Sequence, residues 1–219
     1  MQIKLGQNLL GANGVIAGEI RRLMEEKGIF LLNLMSSPGA GKTTLLEKTL
    51  TALKDRLRLA VIEGDVATTK DAERIARLGI SVVQINTHGA CHLDAAMVRD
   101  VLPAFDLDSL DLLIVENVGN LVCPAEFDLG ESMKVVVLST TEGNDKVLKY
   151  PLMFREADAL LLNKIDLLPF TDFHLDELAD DLGRIHPGLP RFDLSARTGE
   201  GMERWIAWLL AQVEGHRRR

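Results

Sequence analysis

Short apolar runs alternate with longer segments of mixed polarity along most of the chain. Most of the apolar runs lack a clean two-residue alternation, which is typical of strands covered on both faces. We predict strands at Phe30–Met35, Leu57–Glu63, Ile80–Ile85, Leu110–Glu116, Met133–Ser139, Ala159–Asn163 and Leu189–Leu194. The segments between them predict helices at Thr43–Lys54, Thr69–Arg77, Asp94–Leu102, Asp172–Arg184 and Gly201–Gln212.

This alternation of strands and helices indicates an α/β fold, with a doubly wound, mostly parallel sheet flanked by helices and joined by right-handed crossovers. The residues before Gly28 carry apolar side chains at roughly helical spacing, but Gly11, Gly14 and Gly18 weaken that helix. We therefore expect residues 1–28 to form a helical extension that packs on a main domain at residues 29–219.

Charge and hydropathy narrow the classes of partner. The 219 residues carry a formal net charge of -7, which argues against a general binder of nucleic acids or anionic membranes, because both require a basic face. The apolar runs are strand-sized and too short to span a bilayer, and the sequence shows no signal peptide. We expect a cytoplasmic protein, in which Cys91 and Cys123 stay reduced and form no disulfide.

A loop of small residues joins the first predicted strand to the first helix of the main domain. It contains Gly41-Lys42-Thr43, the core of a Walker A motif, and so predicts a P-loop NTPase. The glycines allow backbone N–H groups to converge on phosphate oxygens, Lys42 can reach the β- and γ-phosphates, and the Thr43 hydroxyl can bind Mg²⁺. The residues expected to contact the nucleotide here are Ser37, Gly39, Ala40, Gly41, Lys42, Thr43 and Thr44, while Ser36 replaces the usual first glycine.

A second motif selects the base. Asn163-Lys164-Ile165-Asp166 ends an apolar strand, where doubly wound folds bind their ligands. The Asp166 carboxylate can accept from the ring N–H and the exocyclic amine of guanine, and adenine offers no such pair of donors. Asn163 can brace the purine and nearby loops, and the Lys164 stem can lie over the base. Ser195-Ala196 would offer a backbone N–H to the guanine oxygen, so GTP is the predicted nucleotide.

Acidic residues end the strands beside the P-loop. Asp65 and Glu116 are candidates, together with Thr43, for holding Mg²⁺, and Glu63 is a further acid at the same edge. Glu116-x-x-Gly119 places a glycine whose N–H could sense the γ-phosphate. The candidate catalytic residues are therefore Lys42, Asp65, Glu116 and Gly119. No arginine finger or water-positioning glutamine is evident, so we expect slow hydrolysis unless a partner or dimerisation accelerates it.

Soft ligands occur in two loops. Cys91 and His92 precede a predicted helix, and Cys123 lies in the loop that follows Glu116. Thiolate and imidazole together suit Zn²⁺ or Ni²⁺. Three ligands are one short of a tetrahedron, so water or a second subunit would complete the shell. The alternative is that these residues are a buried small apolar thiol and a solvated histidine.

The motifs together resemble the HypB family of nickel-incorporation GTPases of hydrogenase maturation, in the class of dimerising P-loop GTPases that includes the urease nickel chaperone. The matching stretches are Asn33–Thr44, Glu63–Asp65, Gly89–Asp94, Glu116–Pro124, Thr141–Pro151 and Asn163–Asp166. The Cys91-His92 pair with Cys123-Pro124 is the part specific to the family.

The resemblance implies a homodimer that forms on GTP binding, with Cys91, His92 and Cys123 of both subunits on a shared Ni²⁺ or Zn²⁺. It implies delivery of Ni²⁺ to the large-subunit precursor of a [NiFe]-hydrogenase, assisted by a small nickel-chaperone partner. It also suggests that Lys146 and Lys149 line the nucleotide or dimer interface, whereas the sequence alone favours solvated charges.

Two departures from the family pattern stand out. Some members carry an N-terminal cysteine cluster or a histidine-rich stretch, and this sequence shows neither, so we expect no metal-storage role. Asn144 stands where a second acid is expected.

Other classes of function remain open at this point. A small-molecule or nucleotide kinase would share the P-loop, but the Asn163–Asp166 motif argues against it. A metal-binding module without turnover is a further alternative. A neighbouring family that serves cobalamin-dependent mutases would leave the Cys91, His92 and Cys123 set without a purpose. The ATPases of this class use a second lysine where this chain has Ser36 and Ser37.

Overall fold

A seven-stranded sheet forms the centre of the molecule. The computed structural model describes residues 5–65 and 70–217, and for residues 5–8 it describes the backbone alone. Within these ranges every strand pairing is parallel and the strand order is β3-β2-β4-β1-β5-β6-β7. The strands are β1 Phe30–Ser36, β2 Leu59–Asp65, β3 Ser81–Asn86, β4 Leu112–Glu116, β5 Met133–Ser139, β6 Ala159–Asn163 and β7 Arg191–Asp193.

Helices cover both faces of the sheet. They are α1 Leu5–Lys27, α2 Lys42–Leu53, α3 Lys70–Ala76, α4 Ala95–Val101, α5 Cys123–Glu126, α6 Lys146–Lys149, α7 Pro151–Arg155, α8 Leu175–Ile185 and α9 Met202–Arg217. The predicted doubly wound α/β fold is therefore confirmed. Thr69, at which one predicted helix begins, lies outside the described residues.

Side chains that alternate along β1 fill two different cores. Phe30, Leu32 and Leu34 pack in a cluster with residues of α2 and α9, including the fully buried Trp205. Leu31 lies in a cluster on the opposite face with residues of α1 and α4. Since a strand points successive side chains to opposite faces, one apolar run supplies both cores, which explains why the strands read as continuous apolar segments.

The N-terminal helix is continuous despite its glycines. Ala17, Ile20 and Met24 are buried and pack in the same cluster as β1 and β4. Tertiary packing of this apolar face outweighs the low helix propensity of the glycines. The division of the chain into a 1–28 extension and a 29–219 domain stays a prediction, and residues 1–4 of it lie outside the described ranges.

The strand order creates a crevice for ligand binding at the carboxyl ends of the central strands. β1 lies between β4 and β5, so the connections from neighbouring strands leave in opposite directions and open a crevice at the carboxyl ends of the strands. The register pairs Glu116 with both Leu34 and Glu63 at this edge. Among the described residues, no helix is long and apolar enough to cross a membrane.

Candidate functional site

The P-loop connects the end of β1 to α2. Gly41 precedes α2 in a left-handed conformation with φ 95°, and a Cβ there would come within 2.6 Å of Asn163 Nδ2. Glycine is therefore required both by the backbone and by the close approach of the base-binding motif. The Ser36 hydroxyl accepts a hydrogen bond from Lys42 Nζ at 2.9 Å. This residue, which departs from the glycine pattern, holds the Lys42 ammonium group over the loop.

A cleft of about 440 Å³ opens beside the P-loop. Every predicted catalytic residue lines it, together with the predicted Mg²⁺ ligand on α2: Lys42, Thr43, Asp65, Glu116 and Gly119. Thr43 Oγ1 donates to Glu116 Oε1 at 2.8 Å. A Cβ on Gly119 would meet Pro38 Cα at 3.0 Å, so this backbone lies directly against the P-loop. The structure thus brings these residues together, while their individual roles stay predictions.

Two buried carboxyl groups lie next to each other at the cleft. Burial, and then the neighbouring charge of Glu116, raises the pKa of Glu63 to about 11. Burial is also the main cause that raises the pKa of Glu116. The two carboxyl groups interact with each other by a hydrogen bond, and apart from it their buried Oε2 atoms have no hydrogen-bond partner among the described residues. Unsatisfied buried carboxylate oxygens are costly, and a hard divalent cation such as Mg²⁺ would satisfy them.

A smaller cleft of about 220 Å³ adjoins the first one. The base-motif residues Asn163, Lys164 and Asp166 line it, with Gly41, Thr44 and Ala196. Asp166 Oδ1 is buried and has no hydrogen-bond partner within the described ranges. Leaving a buried acceptor unpaired costs free energy. The Asp166 carboxylate therefore fits guanine, whose two N–H donors can each pair with one of its oxygens.

The Asn163 amide braces the loops around this cleft. Its Nδ2 donates to Ala40 O at 2.9 Å, and its Oδ1 accepts from Ala196 N at 3.0 Å. Lys164 Nζ donates to Gly39 O at 2.7 Å, and so the Lys164 stem crosses toward the P-loop. The bracing role predicted for Asn163 toward neighbouring loops agrees with this geometry.

Two backbone N–H groups of the predicted guanine-binding segment Ser195–Ala196 are hydrogen-bonded within the protein. The Ser195 N–H donates to Glu200 O at 2.9 Å, and the Ala196 N–H is bonded to Asn163. These two N–H groups are therefore engaged within the protein, and the contact of this segment with the guanine oxygen stays a prediction. One of these hydrogen bonds must open if either N–H is to reach a base.

The soft ligands converge from two loops. The candidate donor atoms of Cys91, His92 and Cys123 all lie within 4.8 Å of one another. The two cysteines are free thiols, and Cys91 Sγ lies 2.8 Å from Cys123 Sγ. Asn120 Nδ2 donates to Cys91 O at 3.3 Å and ties the two loops together. Cys91 and Cys123 are 32 residues apart in the chain, yet the fold brings their sulfurs and the His92 imidazole into one compact set.

The histidine of this set is oriented by its surroundings. The His92 ring stacks on Phe127 with a centroid separation of 3.9 Å. Burial lowers the pKa of His92, which favours the neutral imidazole that binds metals. The pKa of Cys123 is raised, mainly by the hydrogen bond from Cys91. A bound cation would replace the shared thiol proton, because metal ligation requires thiolate.

Sequence reasoning missed the part played by Glu142. Its Oε2 accepts a hydrogen bond from the Ser37 hydroxyl, and its Oε1 accepts from Ser139 N at 2.9 Å. Glu142 therefore joins the end of β5 to the P-loop. Its place within the matched stretch Thr141–Pro151 was a signal, but its partners were not visible in the sequence.

Asn144, the departure from the expected acid, has a clear structural role. Its Nδ2 donates to His174 O at 2.6 Å, and its Oδ1 accepts from His174 N at 2.9 Å. An acid could make only the second of these bonds, because an ionised carboxylate is an acceptor alone. Nearby, Lys149 forms an ion pair with Asp145, and Lys146 lines a shallow pocket beside the P-loop.

Known proteins are similar to this chain over most of its length. The family model described as CobW/HypB/UreG, nucleotide-binding domain, matches residues 30–193. The chain is 52% identical over 207 residues to hydrogenase maturation factor HypB of Rhizobium leguminosarum bv. viciae, covering 94% of this chain and 69% of that protein. It is 49% identical over 205 residues to hydrogenase maturation factor HypB of Escherichia coli (strain K12), covering 94% of this chain and 71% of that protein.

Solved structures of proteins with the same name as these relatives are also similar to this chain. The structure of HypB from Helicobacter pylori in complex with nickel has a TM-score of 0.87 and 40% identity, covering 93% of this chain and 96% of that one. Hydrogenase maturation factor HypB from Archaeoglobus fulgidus gives a TM-score of 0.87 and 38% identity, with coverages of 93% and 99%. A signal recognition particle receptor FtsY from Elizabethkingia anophelis, at 16% identity and a TM-score of 0.55, shares the fold alone.

Proposed function

The chain belongs to the HypB family of hydrogenase maturation factors, and from this premise we propose that it is a GTP-hydrolysing nickel metallochaperone. It delivers Ni²⁺ to a [NiFe]-hydrogenase large-subunit precursor, and a nucleotide-dependent homodimer controls binding and release of the metal. A small nickel-chaperone partner assists, and the cytoplasm is the expected compartment. One observation supports the proposal above the others. In the compact Cys91, His92 and Cys123 set, Cys123 ends the loop that follows Glu116, and the loop with Cys91 and His92 begins at Thr87, whose N–H donates to the backbone oxygen of Asp65.

Hydrolysis in this proposal depends on positioning and charge. Lys42 and the P-loop N–H groups bind the β- and γ-phosphates, and the Gly119 N–H contacts the γ-phosphate. Thr43, Asp65 and Glu116 hold Mg²⁺, which when bound neutralises charge that develops on the phosphate oxygens. Asp166 supplies the preference for guanine. The burial of the Glu63 and Glu116 carboxyl groups supports a cation site in which these oxygens exchange protons for metal.

Nickel is the cargo of the second site. Two thiolates and one imidazole from each subunit would give a shared interfacial site, and Zn²⁺ fits the same donors. A loop that follows Glu116 and ends at Cys123 would respond to the γ-phosphate through Gly119, so that metal is held in one nucleotide state and released in the other.

The decisive experiment titrates the purified protein with Ni²⁺, with and without Mg²⁺ and a non-hydrolysable GTP analogue, while its molecular mass is followed. We expect the analogue to drive dimerisation and to shift nickel affinity. Cys91→Ala, His92→Ala and Cys123→Ala should each abolish the shift. His174→Ala is the matched control, since His174 is an exposed histidine whose recorded hydrogen bonds come from its backbone.

Two outcomes would contradict the proposal in different ways. Nickel affinity equal to that of the Cys91→Ala/Cys123→Ala double variant in both nucleotide states would leave a GTPase whose cargo is not nickel. Strong preference for ATP over GTP would instead support a kinase and remove the role given to Asp166.

A further inference from the structure

One buried side-chain amide contacts two loops: the nucleotide loop, residues 117–122 after β4, and the metal loop, residues 87–93 before α4. Asn117 follows Glu116 at the end of β4 and is 1% exposed. Its Oδ1 accepts a hydrogen bond from Val118 N at 2.9 Å and another from Leu93 N at 3.1 Å. Val118 lies next to Gly119, and Leu93 lies next to His92. A single oxygen atom therefore fixes the backbone of one loop relative to the other.

The other end of this amide is held by a buried chain of polar groups. Asn117 Nδ2 donates to Asn33 Oδ1 at 3.2 Å, and Asn33 Nδ2 donates to Glu131 Oε1 at 3.1 Å. Because Nδ2 has an acceptor on that side, Oδ1 must face the two loops. Asn33 is fully buried in the centre of the sheet, so the amide of Asn117 is oriented by rigid structure.

The metal loop is attached to the nucleotide cleft at both of its ends. Thr87 N donates to the Asp65 backbone oxygen at 3.0 Å. At the other end the Leu93 side chain covers Gly64, where a Cβ would come within 2.7 Å of Leu93 Cδ1. The segment from Thr87 to Leu93 is thus held between the end of β2 and the Asn117 amide.

We propose that Asn117 is the positioning residue that couples the nucleotide state to the metal loop, an inference that rests on the proposed function. When Val118 and Gly119 move to bind a γ-phosphate, the bond from Val118 N to the fixed acceptor oxygen changes, and with it the bond that the same oxygen accepts from Leu93 N. His92, the next residue, moves with Leu93. Asn117 lies at the lining of the nucleotide cleft, and in this proposal its side-chain amide acts through the backbones of the two loops.

The test compares nickel affinity in the states loaded with Mg²⁺·GDP and with Mg²⁺ and a non-hydrolysable GTP analogue. Asn117→Ala removes the acceptor, and we expect the affinity ratio between the states to approach one, where allosteric couplings are typically about 5- to 150-fold. Asn117→Asp retains an acceptor for both N–H groups, and its buried carboxyl group, in the protonated form that burial favours, can donate to Asn33 Oδ1 in place of the amide, so this variant should restore most of the ratio. Thr49→Val is the matched control, because it removes another buried hydrogen bond, from Trp205 Nε1 at 3.0 Å.

A second readout separates this inference from the nickel proposal. Amide hydrogen exchange of the metal-free protein reports the 87–94 segment directly. The GTP analogue should change protection there in the wild type and in Thr49→Val, and should leave it unchanged in Asn117→Ala.

One outcome is that the wild type shows this change, and Asn117→Ala loses it, without any shift in nickel affinity. That result would mean that nickel is not the cargo, while the coupling role of Asn117 is supported. If Asn117→Ala keeps the full affinity ratio or the full exchange response, Asn117 is not the coupling residue. If Asn117→Ala folds poorly, Asn117→Asp becomes the test. If a folded Asn117→Asp protein loses both the affinity ratio and the exchange response, the acceptor does not have the proposed role.

Discussion

The carboxyl groups of Glu63 and Glu116 show how single residues prepare a charged site within a core. They are paired in the register of β2 and β4 and are each at most 3% exposed. Desolvation disfavours the charged form of both, and the charge of Glu116 adds repulsion at Glu63. Without a cation, the folded protein therefore favours bound protons at this pair. Mg²⁺ would reverse that preference, because it supplies the positive charge that the protons provide otherwise.

This preference has a measurable pH dependence. The pKa of Glu63 rises from an ordinary value of 4.5 to about 11 on folding, so its contribution to stability is complete below the lower value and falls as pH rises toward the higher one. In EDTA, the free energy of unfolding of Glu63→Gln should therefore increase relative to the wild type as pH rises. The expected slope is up to about 1.4 kcal/mol per pH unit. Urea unfolding between about pH 6 and about pH 8 measures it.

Glu203→Gln provides the control for this measurement, since Glu203 is an exposed glutamate on α9. Its curve should remain parallel to that of the wild type. A Glu63→Gln curve that is also parallel would show that Glu63 is ionised in the folded, metal-free protein.

Residue types and spacing predicted much of the site but not its internal contacts. Thr43 and Glu116 were each expected near Mg²⁺, and the structure places them in one hydrogen bond. The contact of Glu142 with Ser37 and the two bonds to the Asn117 oxygen were missed. These contacts depend on distances between loops that are far apart in the chain, and no local pattern encodes such distances.

At the scale of secondary structure, the docking of α1 depends on one turn. Gly130 adopts φ +81°, and a Cβ there would come within 2.5 Å of Ala17 O and 2.9 Å of Arg21 N. Both atoms belong to the α1 backbone, so no side-chain rotation can relieve the contact. Asp128, two residues earlier, forms an ion pair with Arg21 at 2.7 Å. The turn therefore holds the helix by close backbone contact as well as by charge.

Gly130→Ala should displace α1 from the sheet. Gly188 has a similar φ of +84° but nothing within 4 Å of its added Cβ, so Gly188→Ala carries only the backbone strain of about 1–2 kcal/mol. Gly130→Ala should lose about 1–3 kcal/mol more in the free energy of unfolding, because overpacking adds to the strain. Urea unfolding gives both values, and limited proteolysis should show faster cleavage within α1 only in Gly130→Ala. Equal losses in the two variants would mean that α1 does not depend on this contact.

The secondary structure itself was predictable where periodicity is strong. All seven predicted strands occur, and four of them, β1, β4, β5 and β6, are apolar runs that are buried along most or all of their length. The short helices α5, α6 and α7 were not predicted. Helices of one turn have no period to detect and are held by tertiary contacts. Pro124 and Pro151, within the first two positions of α5 and α7, were the available signals.

For the whole molecule, the main consequence is that α1 shares its core with the strands that carry the nucleotide acids. Ile20 and Met24 of α1 lie in one cluster with Ile62 of β2 and Val115 of β4. Glu63 and Glu116 directly follow those two strand residues. An apolar cluster shared in this way favours cooperative unfolding of the helix and the sheet together.

Binding of Mg²⁺·GDP should therefore protect α1 as strongly as it protects the sheet. A ligand at about 100 times its dissociation constant stabilises the folded state by about 2.7 kcal/mol, which slows amides that exchange by global unfolding about a hundredfold. We expect this factor at Ile20 of α1 and at Leu32 of β1 in native-state hydrogen exchange. Residues in the last turn of α9 serve as an internal control, because fraying ends exchange without global unfolding. If the Ile20 amide exchanges at the same rate with and without the nucleotide, α1 opens by itself and residues 1–28 form a separate unit. If it slows with Leu32, the N-terminal helix and the sheet unfold as one cooperative structure.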